Sequence, residues 1–307
     1  MCAIRDYVFS TSLPAALKEE LAGEYVMSQN AFYVELPGWL TPVFGGAVRA
    51  AQVEQLRFNS YFYFRFILAM DRVLDATPGT LDGGAVRATE RMLTYCDLYE
   101  RSVRGLTEMF PAADPFWSDL ATCKKQYAAS NVAEKRRNKE RGTFTLEAFE
   151  ALSADKSAVC NAVVYALARL GGTSEHVETL LACLGHIHVA LQCMDDVEDF
   201  RDDWEQGQYT YAHAQVEAYL ASQGLDASAL TSQQVHPYLY VSGTADALYA
   251  LGQEHLRQAI ALTAPFHLDG LKEFMVHRIG RFGHYRENAA ANLARARAKC
   301  ESVSVAV

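Results

Sequence analysis

The chain has no apolar run approaching membrane-spanning length, no CxxC pair, no glycine-rich phosphate loop and no stretch rich in Pro, Gly or Ser that reads as a linker. A membrane-crossing helix needs roughly 18 or more apolar residues free of charge, so no integral membrane segment is expected. The opening residues, MCAIRDYVFS, lack the basic stretch and apolar core of a signal peptide, which predicts a cytoplasmic protein. Seven cysteines, an odd number without metal-type spacing, predict free thiols in a reducing compartment. Basic residues are the minority, 28 Lys and Arg against 37 Asp and Glu, and the net charge of −9 argues against a nucleic-acid partner. Walker motifs and nucleophile elbows are missing. No Glu is followed three residues later by His, which disfavours a di-iron carboxylate bundle.

What is present is apolar helix. Half of the residues are hydrophobic, ample for a sizeable core. Periodicity predicts an all-α, single-domain bundle over residues 1–307, with helices at 14–30, 46–76, 83–110, 115–139, 144–152, 156–170, 174–206, 210–223, 238–263 and 267–299. Pro78-Gly79, Pro111, Pro115, Gly171-Gly172, Gly207 and Pro237 supply the breaks, and residues 224–237 read as a polar connection. Asp155 reads as a helix cap.

Two helices carry carboxylates where carboxylates are costly. The segment from Thr179 to Met194 is greasy almost all round, which marks an interior helix. It runs into Asp195-Asp196-Val197-Glu198-Asp199, followed by Asp202, Asp203 and Glu205. At helical spacing Asp195, Asp199 and Asp202 share a stripe, and like charges so placed repel unless a hard cation binds them. An isolated acidic run is usually a solvated helix face, and Asp203 and Glu205 are assigned to solvent on that ground. His188, Leu191 and Gln192 face the same space as Asp195. The helix from Gln55 to Asp75 repeats the design, with Phe64, Ile67 and Leu68 leading to Asp71 and Asp75. Greasy walls with acidic ends describe an apolar pocket with a metal-binding mouth, suited to a hydrocarbon tail with an anionic head.

The pair DxxxD (Asp71, Asp75) and DDxxD (Asp195, Asp196, Asp199) resembles the aspartate motifs of the class I isoprenoid synthases. The string from Leu191 to Tyr211 is similar to the second aspartate helix of squalene-synthase-like bacterial terpene synthases. The resemblance implies Mg²⁺ held by Asp71, Asp75, Asp195, Asp196, Asp199 and Asp202, a prenyl diphosphate substrate, and a homodimer. Catalysis is expected from Asp71, Asp75, Asp195 and Asp199. The expected activity is that of a terpene synthase, with ionisation of an allylic diphosphate and cyclisation of the cation. The alternatives are transfer of the prenyl group to a second acceptor, or a non-catalytic isoprenoid-binding protein. The first motif is DxxxD rather than DDxxD, which argues against simple chain elongation, and no NSE-type triad is present.

Basic partners for a diphosphate are expected from Arg278, Arg281 and Tyr285, which share a helix face, and from Lys135 in the basic block between Lys124 and Arg141. His186 and His188 point in different directions and are expected in the core or pocket rather than as a metal pair. The run Tyr61-Phe62-Tyr63-Phe64 reads first as core, with Phe64 as a candidate aromatic face for a carbocation.

Overall fold

The computed structural model describes the backbone of residues 2–75 and 85–304 and the side chains of residues 3–71 and 91–295. Among the described residues every regular element is helical. In chain order these are α1 (Cys2–Ser10), α2 (Ala15–Ala22), α3 (Glu24–Gln29), α4 (Ala31–Leu40), α5 (Ala50–Asp75), α6 (Ala85–Met109), α7 (Phe116–Glu140), α8 (Leu146–Lys156), α9 (Ala162–Gly171), α10 (Val177–Glu198), α11 (Phe200–Gln206), α12 (Tyr211–Ser222), α13 (Ser232–Val241), α14 (Thr244–Thr263) and α15 (Asp269–Ser304). The chain divides into two compact units, one of Met1–Lys124, Val159–Glu178 and Phe266–Leu271, the other of Lys125–Ala158, Thr179–Pro265 and Lys272–Val307.

The first unit is built on α5 and α6. Their close approach depends on Gly105, where a Cβ would lie 2.4 Å from Asn59 Oδ1. Ser102 Oγ donates to the Asn59 carbonyl at 2.6 Å across the same contact. Ile4, Val8, Leu21, Met27 and Val34 bring the four N-terminal helices onto Tyr61, Phe62 and Tyr95, each buried large side chain contributing about 1.5–3 kcal/mol. Arg65 is sunk in this core, and its guanidinium donates to the Glu20 carbonyl at 2.8 Å and to Tyr95 Oη at 3.2 Å. Tyr95 Oη in turn donates to Glu20 Oε1 at 3.0 Å, so the buried charge sits in a hydrogen-bonded network.

The second unit is built around α10, whose Cys183, Leu184, Ile187, Val189, Ala190, Cys193 and Val197 are all buried. Among the described residues α10 alone is long and apolar enough to cross a membrane, and 56% of that apolar window lies inside the protein. Phe149 stacks on Tyr211 at 4.9 Å, fastening α8 to α12. Gly252 lets α14 meet α15, since a Cβ there would lie 2.7 Å from the Phe282 ring.

Several expected boundaries move, each for a local reason. The helix expected at 14–30 is two, broken at Gly23 with extended ψ of 153°. Residues 31–40 form α4 with Pro37 inside it, and α1 precedes them; neither was expected. The long helix expected at 174–206 breaks at Asp199 (φ −95°, ψ 2°), although backbone bonds from Asp199 N to Asp195 O and from Asp203 N to Asp199 O, both 2.9 Å, carry the turn across. Residues 224–237 contain a short 3-10 helix and the start of α13. Pro237 lies within α13, and the break comes instead at Gly243, whose φ of 83° suits a residue without a Cβ. Asp155 does not cap a helix start: it lies in the last turn of α8, which Thr145 caps by accepting from Ala148 N at 3.2 Å.

Candidate functional site

The acidic end of α10 is surrounded, within the second unit, by α7, α8, α11, α12 and α15. Its two adjacent aspartates have different fates. Asp196 is 2% exposed; Oδ1 accepts from Gln192 Nε2 at 2.9 Å and Oδ2 from the Ala212 backbone N–H at 3.3 Å. The N-terminal turn of α12 is thereby aimed at a buried carboxylate, a favourable pairing with the helix dipole. His213, in the same turn, caps α12 with Nδ1 and meets the Phe200 carbonyl with Nε2 at 2.9 Å, tying α12 to α11. Burial pushes that imidazole down to about 4, so it is neutral.

Asp195 reaches solvent, yet its carboxyl is pushed up to about 7 by burial among protein atoms and by the neighbouring Asp199 and Asp196. The carboxylate opens to water from within a dense shell of protein. Asp199 is raised by partial burial and by Asp202. Asp202 is exposed. Asp203 is not a solvent residue as the sequence suggested; it is half-buried and pushed up to about 7 by burial, Asp196 and Asp199. Glu205 is exposed, as expected, and accepts from Ser232 Oγ at 2.5 Å.

The counter-charge comes from Lys156. It ends α8, and its Nζ donates to Glu134 Oε1 on α7 at 2.7 Å. Burial disfavours its charge, but Glu134, Asp196 and Asp195 outweigh that and raise its pKa, so it stays an ammonium. Sequence reasoning missed it by reading Asp155-Lys156-Ser157 as a helix start. The signal was a lysine at the C-terminal turn of a short amphipathic helix, where a cation is favoured. Lys135, the basic residue expected here, is half-buried on α7 beside Glu134.

The basic face predicted on α15 reaches the same acidic end. Arg281 donates to Tyr285 Oη at 2.6 Å and to Glu198 Oε1 at 3.4 Å. Arg278 is half-buried against Met194, with Nη1 3.5 Å from Sδ, and feels Glu198 and Asp195. Burial and Arg281 lower its pKa, the mark of guanidinium groups crowded together without enough anion between them. Arg286, on another face, is spent on structure through two bonds to Asp246, at 2.7 and 3.1 Å.

Of the remaining predicted residues, His188 is fully buried and its imidazole is pushed down to about 4 by burial, so it is a neutral core group. His186 turns the other way, its Nδ1 2.8 Å from Nδ1 of His255. Leu191 and Gln192 are half-buried. Asp71, Phe64, Ile67 and Leu68 belong to the first unit and are half-buried on α5, with Phe64 stacked on Tyr33 at 3.8 Å. The side chain of Asp75 lies outside the described residues.

Among the described residues no three His, Cys, Asp or Glu side chains converge as a ready-made metal cage. Magnesium does not ask for one, since it keeps several waters and takes one or two carboxylates together with substrate phosphate oxygens. Asp195 and Asp199, solvent-reaching oxygen donors that repel each other, fit that demand.

The all-helical fold is shared with solved isoprenyl diphosphate synthases. A polyprenyl synthase from Caulobacter crescentus, solved with calcium and isoprenyl diphosphate, superimposes with a TM-score of 0.70 at 16% identity over 91% of this chain and 92% of its own. A decaprenyl diphosphate synthase from Rhodobacter capsulatus gives 0.71 at 16% identity over 92% and 94%. A geranylgeranyl pyrophosphate synthase from Lactobacillus brevis gives 0.70 at 16% identity over 91% and 95%. No protein-family model matches the sequence, and no curated protein matches it.

Proposed function

We propose that this chain is a Mg²⁺-dependent prenyltransferase, which ionises an allylic prenyl diphosphate and gives the prenyl group to a second substrate. The observation that carries the reading is the meeting, in one unit, of a carboxylate pair (Asp195, Asp199) with Lys156, Arg278 and Arg281. Separate anionic and cationic groups at one place suit a metal–diphosphate complex, the metal on the carboxylates and the phosphate oxygens on the cations. Bound Mg²⁺ would supply Lewis-acid neutralisation of the leaving group. Asp202 is proposed as an outlying ligand and Asp196 as the buried anchor that orients its neighbours through Gln192 and Ala212; Asp71 and Asp75 carry the other aspartate motif, on α5 of the first unit.

Transfer is preferred over the cyclisation expected from sequence because the superimposed structures bear the names of polyprenyl, decaprenyl and geranylgeranyl diphosphate synthases. The resemblance of residues 191–211 to squalene-synthase-like proteins and the DxxxD spacing support a branch apart from simple chain elongation. Cys96, Cys123, Cys160, Cys183 and Cys193 are all free, in keeping with a reducing cytoplasm.

The test is to incubate the protein with geranyl, farnesyl and geranylgeranyl diphosphates, with and without Mg²⁺ and a second substrate, and to measure diphosphate and organic products. Diphosphate release that ignores Mg²⁺ would sink the metal assignment. A hydrocarbon formed from the allylic diphosphate alone would restore cyclisation.

A further inference from the structure

Where α13, α14 and α15 meet, a cavity of about 390 Å³ opens, walled by Tyr240, Tyr249, Tyr285, Asn288, Asn292 and Leu293 among others. None of its lining residues carries a formal charge. A diphosphate would find no cation there, so this is not a second anion site. The volume falls in the range of small-molecule pockets.

Its polar atoms are partly unclaimed. Tyr249 is only 5% exposed and lines the cavity with its ring packed against Phe282 and Tyr285, at centroid distances of 5.8 and 5.5 Å. Asn288 Nδ2 is paired with His284, which leaves Oδ1 as an acceptor, while Asn292 Oδ1 accepts from Arg295 and leaves Nδ2 as a donor. The two amides stand one turn apart on α15. Tyr285 Oη accepts from Arg281, which also meets Glu198, so one wall of the cavity is shared with the proposed diphosphate site.

We propose that this cavity binds the prenyl acceptor, and that the acceptor is a neutral aromatic molecule with a hydroxyl or ring N–H. This rests on the prenyl-transfer reading and names its second substrate. Tyrosine faces favour a flat ring by stacking and edge contacts, and the amide pair with the Tyr249 hydroxyl reads a donor–acceptor edge. In the reaction the allylic C–O bond breaks and the diphosphate leaves with its electron pair. A ring carbon or heteroatom of the acceptor then supplies the electrons of the new bond, and its displaced proton passes to the departing diphosphate.

The test has two arms on the full chain, with indole and 1-naphthol as probes. Equilibrium titration reads binding without turnover, and incubation with farnesyl diphosphate and Mg²⁺ reads prenylated product, with isopentenyl diphosphate as the anionic competitor. Tyr249→Phe and Asn292→Leu are each expected to weaken probe binding roughly three- to tenfold, raising the acceptor KM more than they lower kcat. Val276→Ser, exposed on α15 outside the cavity, is expected to change neither reading. Product from isopentenyl diphosphate but from neither probe overturns the aromatic assignment and leaves prenyl transfer standing. Probe binding unaltered in both cavity variants overturns the site. Absence of diphosphate release under every condition removes prenyl transfer, and with it the acceptor role, while the titration still decides whether the cavity holds an aromatic.

Discussion

Each unit of the molecule takes a strong charge out of water, and the two do so in opposite ways. In the first, Arg65 donates to the Glu20 carbonyl and to Tyr95, which donates to the Glu20 carboxylate, and Arg91 pairs with that carboxylate at 3.0 Å, while Arg65 Nε stays buried without a hydrogen bond. In the second, Asp195, Asp196 and Asp203 gather about Lys156, which already serves Glu134, and Asp199 adds its charge to Asp195 and Asp203. Acceptors around a buried cation stabilise a fold, whereas carboxylates crowded beyond their counter-charge are held at a cost. The contrast sets a structural cation apart from the carboxylates proposed for metal binding.

Breaking each side should give opposite phenotypes. Asp195→Ala is expected to lower turnover of an allylic diphosphate by about 10³-fold or more, the scale of lost metal coordination, with the far-ultraviolet circular dichroism retained. Its melting temperature should hold or rise, because a repelling carboxylate is gone; a fall of many degrees would make Asp195 structural. Arg65→Ala is the mirror case. It should cost about 3–5 kcal/mol in denaturant unfolding by opening a buried, hydrogen-bonded charge network, while the KM for allylic diphosphate in the folded fraction stays within about twofold of the original.

The surplus charge also has a pH signature. The Asp195 and Asp203 carboxyls are raised in the folded state to about 7, against about 3.9 in an unfolded chain. Between those values the native protein binds more protons than the unfolded one, so stability falls as pH rises from about 4 to about 7. On the proposed metal assignment, Mg²⁺ displaces the proton that Asp195 holds. At pH 7 its binding should release protons, read by calorimetry in buffers of different ionisation heat, and should restore the melting temperature lost on raising the pH. A buffer-independent heat would show that these carboxyls are already ionised.

How much of this was legible in the sequence follows the same division. The greasy helix ending in acid announced α10 and the acidic cluster at its end, because an apolar stretch and a charged one follow each other along one segment. Arg278, Arg281 and Tyr285 were legible because helical spacing puts them on one face. Lys156 was not, because its meaning depends on α7 and on α10, distant in sequence from α8. The difference between Asp195 and Asp196 was hidden too: both fit the motif, and only the backbone N–H of Ala212 and the amide of Gln192 show which one faces inward. Gly243 and Pro237 misled for a local reason, since α13 accommodates the proline and the glycine alone can take φ of 83°.

The smallest effect asks what holds Lys156 in place. It ends α8, whose first turn depends on Thr145 Oγ1 accepting from Ala148 N, and Thr145→Ala should cost about 1 kcal/mol by leaving that N–H unpaired. If Lys156 is held by the helix, a frayed α8 shifts the ammonium and the KM for allylic diphosphate rises. Its 2.7 Å bond to Glu134 lies at the other end of α8, however, with Phe149 stacked on Tyr211 between the two. Fraying therefore stops at the Phe149 ring, and the expected result is a lower melting temperature with KM changed less than about twofold. A rise in KM of about tenfold, equivalent to 1.4 kcal/mol, would show that the counter-charge of the second unit is set by its helix rather than by its ion pair.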